Sequence, residues 1–196
     1  MFLCLISSYA FSQNFAVGGY VKNSYSLGEY SNYSICDLGV AAYGNYLLPF
    51  NMPLDMKLGL SVLAEYAHVF PKTDSVISNL EDVSFAMGIL YFLPFNIASQ
   101  LFKAQIQVDY GVVLHCMNGI ESVSLSSLYV DQLIDFALGL RWSIPKLENL
   151  DILLFPTFRI CPETEGNLLL QAGFKVGAVY TFSAKSSSTV QTSESE

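Results

Sequence analysis

Residues 103–114, KAQIQVDYGVVL, alternate with a period of two. Ala104, Ile106, Val108, Tyr110, Val112 and Leu114 fall on one side, and Lys103, Gln105, Gln107 and Asp109 on the other. Successive side chains of a strand point to opposite faces, so this stretch is a strand with two unlike faces. The same rhythm returns along the chain. Residues 56–66 set Met56, Leu58, Leu60, Val62, Ala64 and Tyr66 against Lys57, Gly59, Ser61 and Glu65, with Leu63 as the exception. Residues 83–91 set Val83, Phe85, Met87, Ile89 and Tyr91 against Ser84, Ala86 and Gly88. Residues 134–142 set Ile134, Phe136, Leu138, Leu140 and Trp142 against Asp135, Ala137, Gly139 and Arg141. Further copies oppose Ile152, Leu154, Phe158 and Ile160 to Asp151, Thr157 and Arg159, and a run from Leu170 to Phe182 to Gln171, Lys175 and Thr181. With weaker copies near 15–23 and 38–48, the pattern predicts eight strands at 14–25, 34–47, 55–69, 82–93, 101–115, 128–143, 150–161 and 168–182.

The connections fall into two alternating classes. YLLPFN (46–51), YFLPFN (91–96) and RWSIPKLEN (141–149) read as tight turns in which proline ends a strand. SLGEYSNY, PKTDSVISNLED, CMNGIESVSLSS and CPETEG read as longer polar loops. The repeated unit is therefore a hairpin. An even meander with short turns at one end and longer loops at the other is the layout of an all-β, eight-stranded antiparallel up-and-down transmembrane β-barrel. Each alternating stretch reaches the roughly 9–11 residues that a tilted membrane-crossing strand needs. Pro156, inside the seventh strand, predicts a bulge or break there.

Period two does not say which face looks outward, but the contents of the faces do. Only 13% of residues are charged, against about 25% in ordinary soluble domains. A soluble barrel could not coat itself with so few. The polar face carries Lys57, Glu65, Lys103, Asp109, Asp135, Arg141, Asp151, Arg159 and Lys175 among glycine, alanine and serine. An eight-stranded barrel has an interior just wide enough for its own side chains. Long charged chains interleaved with small ones fit such a lumen, and opposite signs neutralise one another there. The apolar face then meets lipid. Running the strands up and down brings Tyr46, Tyr91, Phe102, Trp142, Tyr180 and Phe182 to the short-turn end of that face, as a girdle at one membrane interface. The lumen charges read as a structural ion-pair plug, with a selective pore lining as the alternative.

The remaining chemistry is sparse. The formal net charge of -8 leaves no basic patch to replace phosphate counterions, which excludes nucleic acid as a partner. His68 and His115 lie at long-loop strand ends and read as interfacial rather than catalytic. The loops carry Glu29, Asp74, Glu81, Asp82, Glu121, Glu163 and Glu165 against a lone Lys72, an ordinary solvated acidic surface. Residues 1–12 read as a signal peptide with cleavage near 10–13, which would remove Cys4. Cys36, Cys116 and Cys161 remain, an odd number without metal-ligand spacing, and neither a metal nor a cofactor is expected. Residues 183–196 are a Ser-rich disordered tail after the barrel at 13–182.

The final strand carries KVGAVYTF (175–182), with polar Lys175, Gly177, then Tyr180 and terminal Phe182. It resembles the insertion signal of bacterial outer-membrane barrels. With eight strands and a signal peptide, residues 14–182 are similar to the small outer-membrane barrel families, OmpW-like and OmpX/OmpA-like. The resemblance implies a non-enzymatic integral outer-membrane protein with both termini in the periplasm. Its implied partners are the lipid bilayer, the barrel-assembly machinery and a small hydrophobic ligand. The implied roles are passage of small hydrophobic molecules, or membrane integrity and surface contact. A lipid-modifying barrel enzyme and a helical inner-membrane protein, with its best helix at 83–98, are the competing readings.

Overall fold

The computed structural model describes residues 15–49, 56–72, 77–97, 102–119, 126–147, 149–162 and 168–182. The expected signal peptide and the Ser-rich tail lie outside the described residues. Eight strands run in chain order: β1 (Phe15–Leu27), β2 (Ser34–Leu47), β3 (Lys57–Pro71), β4 (Ile77–Ile97), β5 (Phe102–Gly119), β6 (Ser126–Ser143), β7 (Leu150–Pro162) and β8 (Leu168–Thr181). Each pairs antiparallel with its neighbour, and β8 returns to β1 to close the barrel. Closure leaves no sheet edge, so the ladders can satisfy the backbone groups without water. No helix among the described residues is long and apolar enough to cross a membrane, and the all-β architecture excludes the helical alternative.

The barrel is apolar outside and polar inside. Val21, Val40, Val62, Met87, Ile106 and Leu138 are exposed on the exterior, while Lys22, Gln105, Asp109 and Asp135 are buried in the lumen. This inverts the distribution of a water-soluble protein and makes hydrocarbon the solvent of the outer face. On β1 the outward series runs from Phe15 to Tyr25. Ten residues of strand tilted by roughly 40° rise about 25 Å, the height of the apolar band of a membrane barrel.

Three expectations are corrected. First, β4 and β5 reach beyond the expected 82–93 and 101–115, to Ile77–Ile97 and Phe102–Gly119, and β6 begins at Ser126, two residues early. The gaps at that end are only 28–33, 72–76, 120–125 and 163–167, no longer as a class than 48–56, 98–101 and 144–149 at the other. The first is filled by a 3-10 turn, Gly28–Asn32, entered through Gly28 at φ 62°. Second, YFLPFN is not a turn. The β4–β5 ladder shifts register between Phe92 and Asn96, around Pro94, and then resumes to Ile97. Third, of the bulge or break expected at Pro156, the structure shows the break and no bulge. Both ladders of β7 keep their register, but pairing with β6 is missing where Phe155 and Pro156 face Gly139 and Leu138. In an antiparallel strand the N–H and C=O of one residue point to the same side. The missing proline N–H therefore costs only the β6 ladder.

Two results are expected from this architecture. Unboiled and boiled protein will run at different positions on SDS gels, since a closed ladder resists SDS until heated; identical mobility would refute closure. Ile106→Lys, which puts a charge against lipid, will cost about 2–4 kcal/mol near the bilayer midplane. By contrast Ile106→Leu with Val108→Phe, which enlarges the lipid-facing side, will cost little. Reversible urea unfolding in vesicles measures both.

Candidate functional site

The functional feature of the molecule is its lumen. At its centre six charged side chains from six strands form one cluster. Lys22 Nζ (β1) lies 3.0 Å from Glu65 Oε1 (β3) and 3.1 Å from Asp37 (β2). Arg159 (β7) reaches the same Glu65 oxygen at 2.8 Å and Asp135 (β6) at 2.9 Å. Lys175 (β8) donates to Asp135 at 2.9 Å. The Tyr20 hydroxyl donates to the other Glu65 oxygen at 3.0 Å, and the Lys175 ammonium stands 5.0 Å above the Tyr20 ring. Three cations thus meet three carboxylates, all fully or almost fully buried. Burying a single charge costs several kcal/mol, and only mutual pairing with further hydrogen bonds offsets it.

A polar ladder of two amides and a carboxylate continues on β5. Gln105 donates to Gln107 at 3.1 Å, and Gln107 donates to Asp109 at 2.6 Å. The Ser61 hydroxyl also donates to Asp109, and the Tyr43 hydroxyl to Gln107. Asp109 faces Asp135 directly in register. Two carboxylates so placed repel. The pair persists because Asp135 is held by Arg159 and Lys175, while Asp109 accepts from a hydroxyl and an amide. At the turn end, Arg141 is hydrogen-bonded to Asp151 and donates to the Thr181 hydroxyl at 3.0 Å, with Phe92 beneath it at 5.5 Å. At the loop end, His115 Nδ1 lies 2.7 Å from Asp82, and its Nε2 lies 3.6 Å from Asp131.

Apolar side chains fill the remaining space. Leu63, Val113, Leu133, Leu153, Phe155 and Val179 are packed inside with the charges. Gly139 makes room for Phe155: a Cβ there would stand 2.3 Å from the Phe155 ring. The cavity lined by Tyr20, Tyr43, Gln107, Ala137, Leu153, Phe155 and Lys175 measures about 10 Å³, roughly the space of one water centre.

Of the lumen residues expected from sequence, the structure buries Glu65, Asp109, Asp135, Arg141, Asp151, Arg159 and Lys175 inside. Lys57 and Lys103 keep the inward alternation but are exposed at the turn-end rim. Lys22 and Asp37 complete the central cluster and were not among the expected residues. Asp82 and His115 are corrected: Asp82 is a buried β4 residue rather than a loop acid, and His115 faces the lumen rather than the membrane interface. His68 does lie on the outer side, edge-on to Phe70 at 4.7 Å. Glu81 also belongs to β4, and Glu29 is exposed, whereas Asp74, Glu121, Glu163 and Glu165 lie outside the described residues. Cys36, Cys116 and Cys161 are free thiols.

The turn-end aromatics are register neighbours in several places. Phe102 stacks on Trp142 with centroids 6.0 Å apart, Phe15 on Phe182 at 5.9 Å, and Tyr180 meets Phe182 edge-on at 5.4 Å. Tyr46 pairs with Phe15, and Tyr91 with Leu58 and Ile106. Gly177, of the insertion-signal motif, faces Tyr20 across the β1–β8 seam. Tyr25, Tyr66 and Phe70 are exposed on the outer face toward the loop end.

No family model matches this chain, and no curated protein matches it in sequence. In structure it is similar to Neisserial surface protein A at 10% identity, with 86% of this chain and 97% of that one covered and a TM-score of 0.58. It is also similar to the N-terminal β-barrel domain of Pseudomonas aeruginosa OprF, at 13% identity, 86% and 98% coverage and a TM-score of 0.50. The outer membrane enzyme PagL gives 12% identity, 83% and 97% coverage and a TM-score of 0.52. These are likenesses of fold: the chain is an eight-stranded barrel of the kind built by small bacterial outer-membrane proteins.

The cluster makes a quantitative demand. Glu65→Ala leaves Lys22 and Arg159 short of their shared carboxylate inside the barrel. It will lower the unfolding free energy in vesicles by about 3–5 kcal/mol. Glu29→Ala, on the exposed turn, will change it by less than about 0.5 kcal/mol.

Proposed function

We propose that this protein is a non-enzymatic integral barrel of the bacterial outer membrane that serves membrane integrity and surface contact rather than solute passage through its lumen. The observation that supports this is the filled interior, in which the three cations of the central cluster are committed to its three carboxylates. A selective pore needs groups free to exchange their partners with an ion, and the cluster holds none in reserve. The lipid bilayer is the principal partner. Lys175, Gly177, Tyr180 and Phe182 serve as the signal read by the barrel-assembly machinery. Both chain ends belong on the periplasmic side.

Catalysis is disfavoured by the chain's own residues, since a PagL-like fold alone decides nothing. A histidine-activated nucleophile needs its hydroxyl or thiol on one imidazole nitrogen and an orienting group on the other. Both nitrogens of His115 face carboxylates, and His68 packs against an aromatic ring. A role with small hydrophobic molecules would draw on the outer face. There Val40, Ala42, Ala64, Tyr66, Val83 and Phe85 line an apolar depression of about 330 Å³.

Planar-bilayer recording tests the proposal. The purified barrel will show no steady ohmic conductance at neutral pH, and a stable open channel would overturn the plugged reading. The assembly role has its own test. Tyr180→Ala with Phe182→Ala will impair insertion by the cellular machinery more than refolding in detergent. Equal loss in both assays would reduce these aromatics to packing.

A further inference from the structure

The apolar depression on the outer face is a trough with a floor and raised banks. Ala42 on β2 and Ala64 on β3 are register partners, and their methyl groups form the floor. Val40 and Tyr66, also register partners, flank it toward the loop end, and Val83 and Phe85 line it from β4. Val40, Tyr66 and Phe85 are large and exposed, so the banks stand well above the floor. Toward the turn end Val62 leans over Gly44, its register partner: a Cβ on Gly44 would stand 3.1 Å from a Val62 methyl.

The loop-end margin of the trough is polar. The Tyr66 hydroxyl is hydrogen-bonded to the Glu81 carboxylate. Glu81 lies two residues beyond Val83 on β4 and pairs in register with His68 on β3. Tyrosine and polar side chains favour the membrane interface, so Tyr66, His68 and Glu81 mark that level on this wall. His68 is four residues from Ala64. That is roughly 13 Å of strand and, at a tilt of about 40°, about 10 Å of depth. The floor therefore sits within one leaflet, whose hydrocarbon is about 15 Å thick, half of the bilayer core.

We propose that this trough seats one acyl chain of a membrane phospholipid, with the headgroup at the Tyr66–Glu81 margin. The seat rests on the outer-membrane reading, which makes lipid the medium of this face. A void in hydrocarbon forfeits dispersion contacts along its lining, so the trough is filled. A flexible chain can follow a floor of two methyl groups between larger side chains. A second copy of the barrel fits it poorly. A two-fold axis along the membrane normal sets the same patch against itself, so Val40, Tyr66 and Phe85 would meet their counterparts and leave both floors empty. The passage from apolar floor to polar margin also matches an amphiphile rather than a wholly apolar solute.

Retention of lipid tests the seat. The full chain is refolded in palmitoyl-oleoyl-phosphatidylcholine vesicles, transferred to detergent and weighed by native mass spectrometry. The barrel will carry one phospholipid. Ala42→Leu with Ala64→Leu, which fills the floor from the lipid side, will lose it, whereas Leu138→Phe, on the outward face of β6, will keep it. In the vesicles, electron spin resonance of the same lipid with a nitroxide on its chain will show one immobilised chain fewer per barrel in the double variant. That spectrum decides the matter where detergent strips lipid from every form. Equal immobilisation in the unsubstituted protein and the double variant overturns the proposal, and so does a dimer that the double variant abolishes. If the double variant does not fold, Ala42→Leu alone takes its place. The SDS gel shift reports folding independently: a shift that persists while retention is unchanged by filling the floor removes the seat and leaves the membrane barrel standing.

Discussion

A strand in hydrocarbon has nothing to bond with except another strand. From that constraint the rest of this molecule follows. An N–H or C=O left open to lipid costs several kcal/mol, so the sheet must close on itself. Closure at eight strands fixes a narrow interior. A narrow interior has little room for water, so charged groups pointing inward must find one another. The six-membered cluster of Lys22, Asp37, Glu65, Asp135, Arg159 and Lys175 is thus a consequence of closure as much as a contributor to it. Glu65 joins strands that are not neighbours, since it takes Lys22 from β1 and Arg159 from β7 while lying on β3. The ladders hold adjacent strands, and the cluster holds opposite walls.

Much of this was legible in the chain. Alternation through 103–114 and 134–142 gave the strands and their two faces, because a one-residue error of phase would put every aliphatic side chain on the wrong side. Glu65, Asp109 and Asp135, whose phase is set by the outward series of their strands, are buried in the lumen. Lys22 escaped notice because Gly18 and Gly19 dilute the pattern around it, although Val17 and Val21 already fix its side. Asp82 and His115 escaped for a different reason. Each ends an expected strand beside a polar segment, so their side chains were read with the loops and the interface, while the phase set by Val83, Phe85, Val112 and Leu114 had them pointing inward.

What sequence could not supply was partnership across the lumen. Which lysine meets which glutamate depends on the stagger of the whole barrel, a property of all eight strands together. Nothing near Glu65 in the chain announces Arg159. The two prolines make the same point locally. Pro94 shifts the register of β4 against β5, whereas Pro156 leaves its ladders in register and silences part of only one. The side of the strand on which the lost N–H falls, and what the neighbour can do about it, decides between those outcomes.

The seam between β1 and β8, running from Ala16 opposite Thr181 to Leu27 opposite Leu170, joins the strands most distant along the chain. Until β8 exists, β1 and β7 both present raw edges, so no partial barrel is fit to enter a bilayer. Insertion is thereby tied to completion of the polypeptide, and the high sequence separation of that final contact slows it. The same seam sets Phe15 beside Phe182. A chain re-threaded by linking those residues and cutting between β1 and β2 would keep every ladder, yet it would carry both of its ends to the opposite face of the membrane.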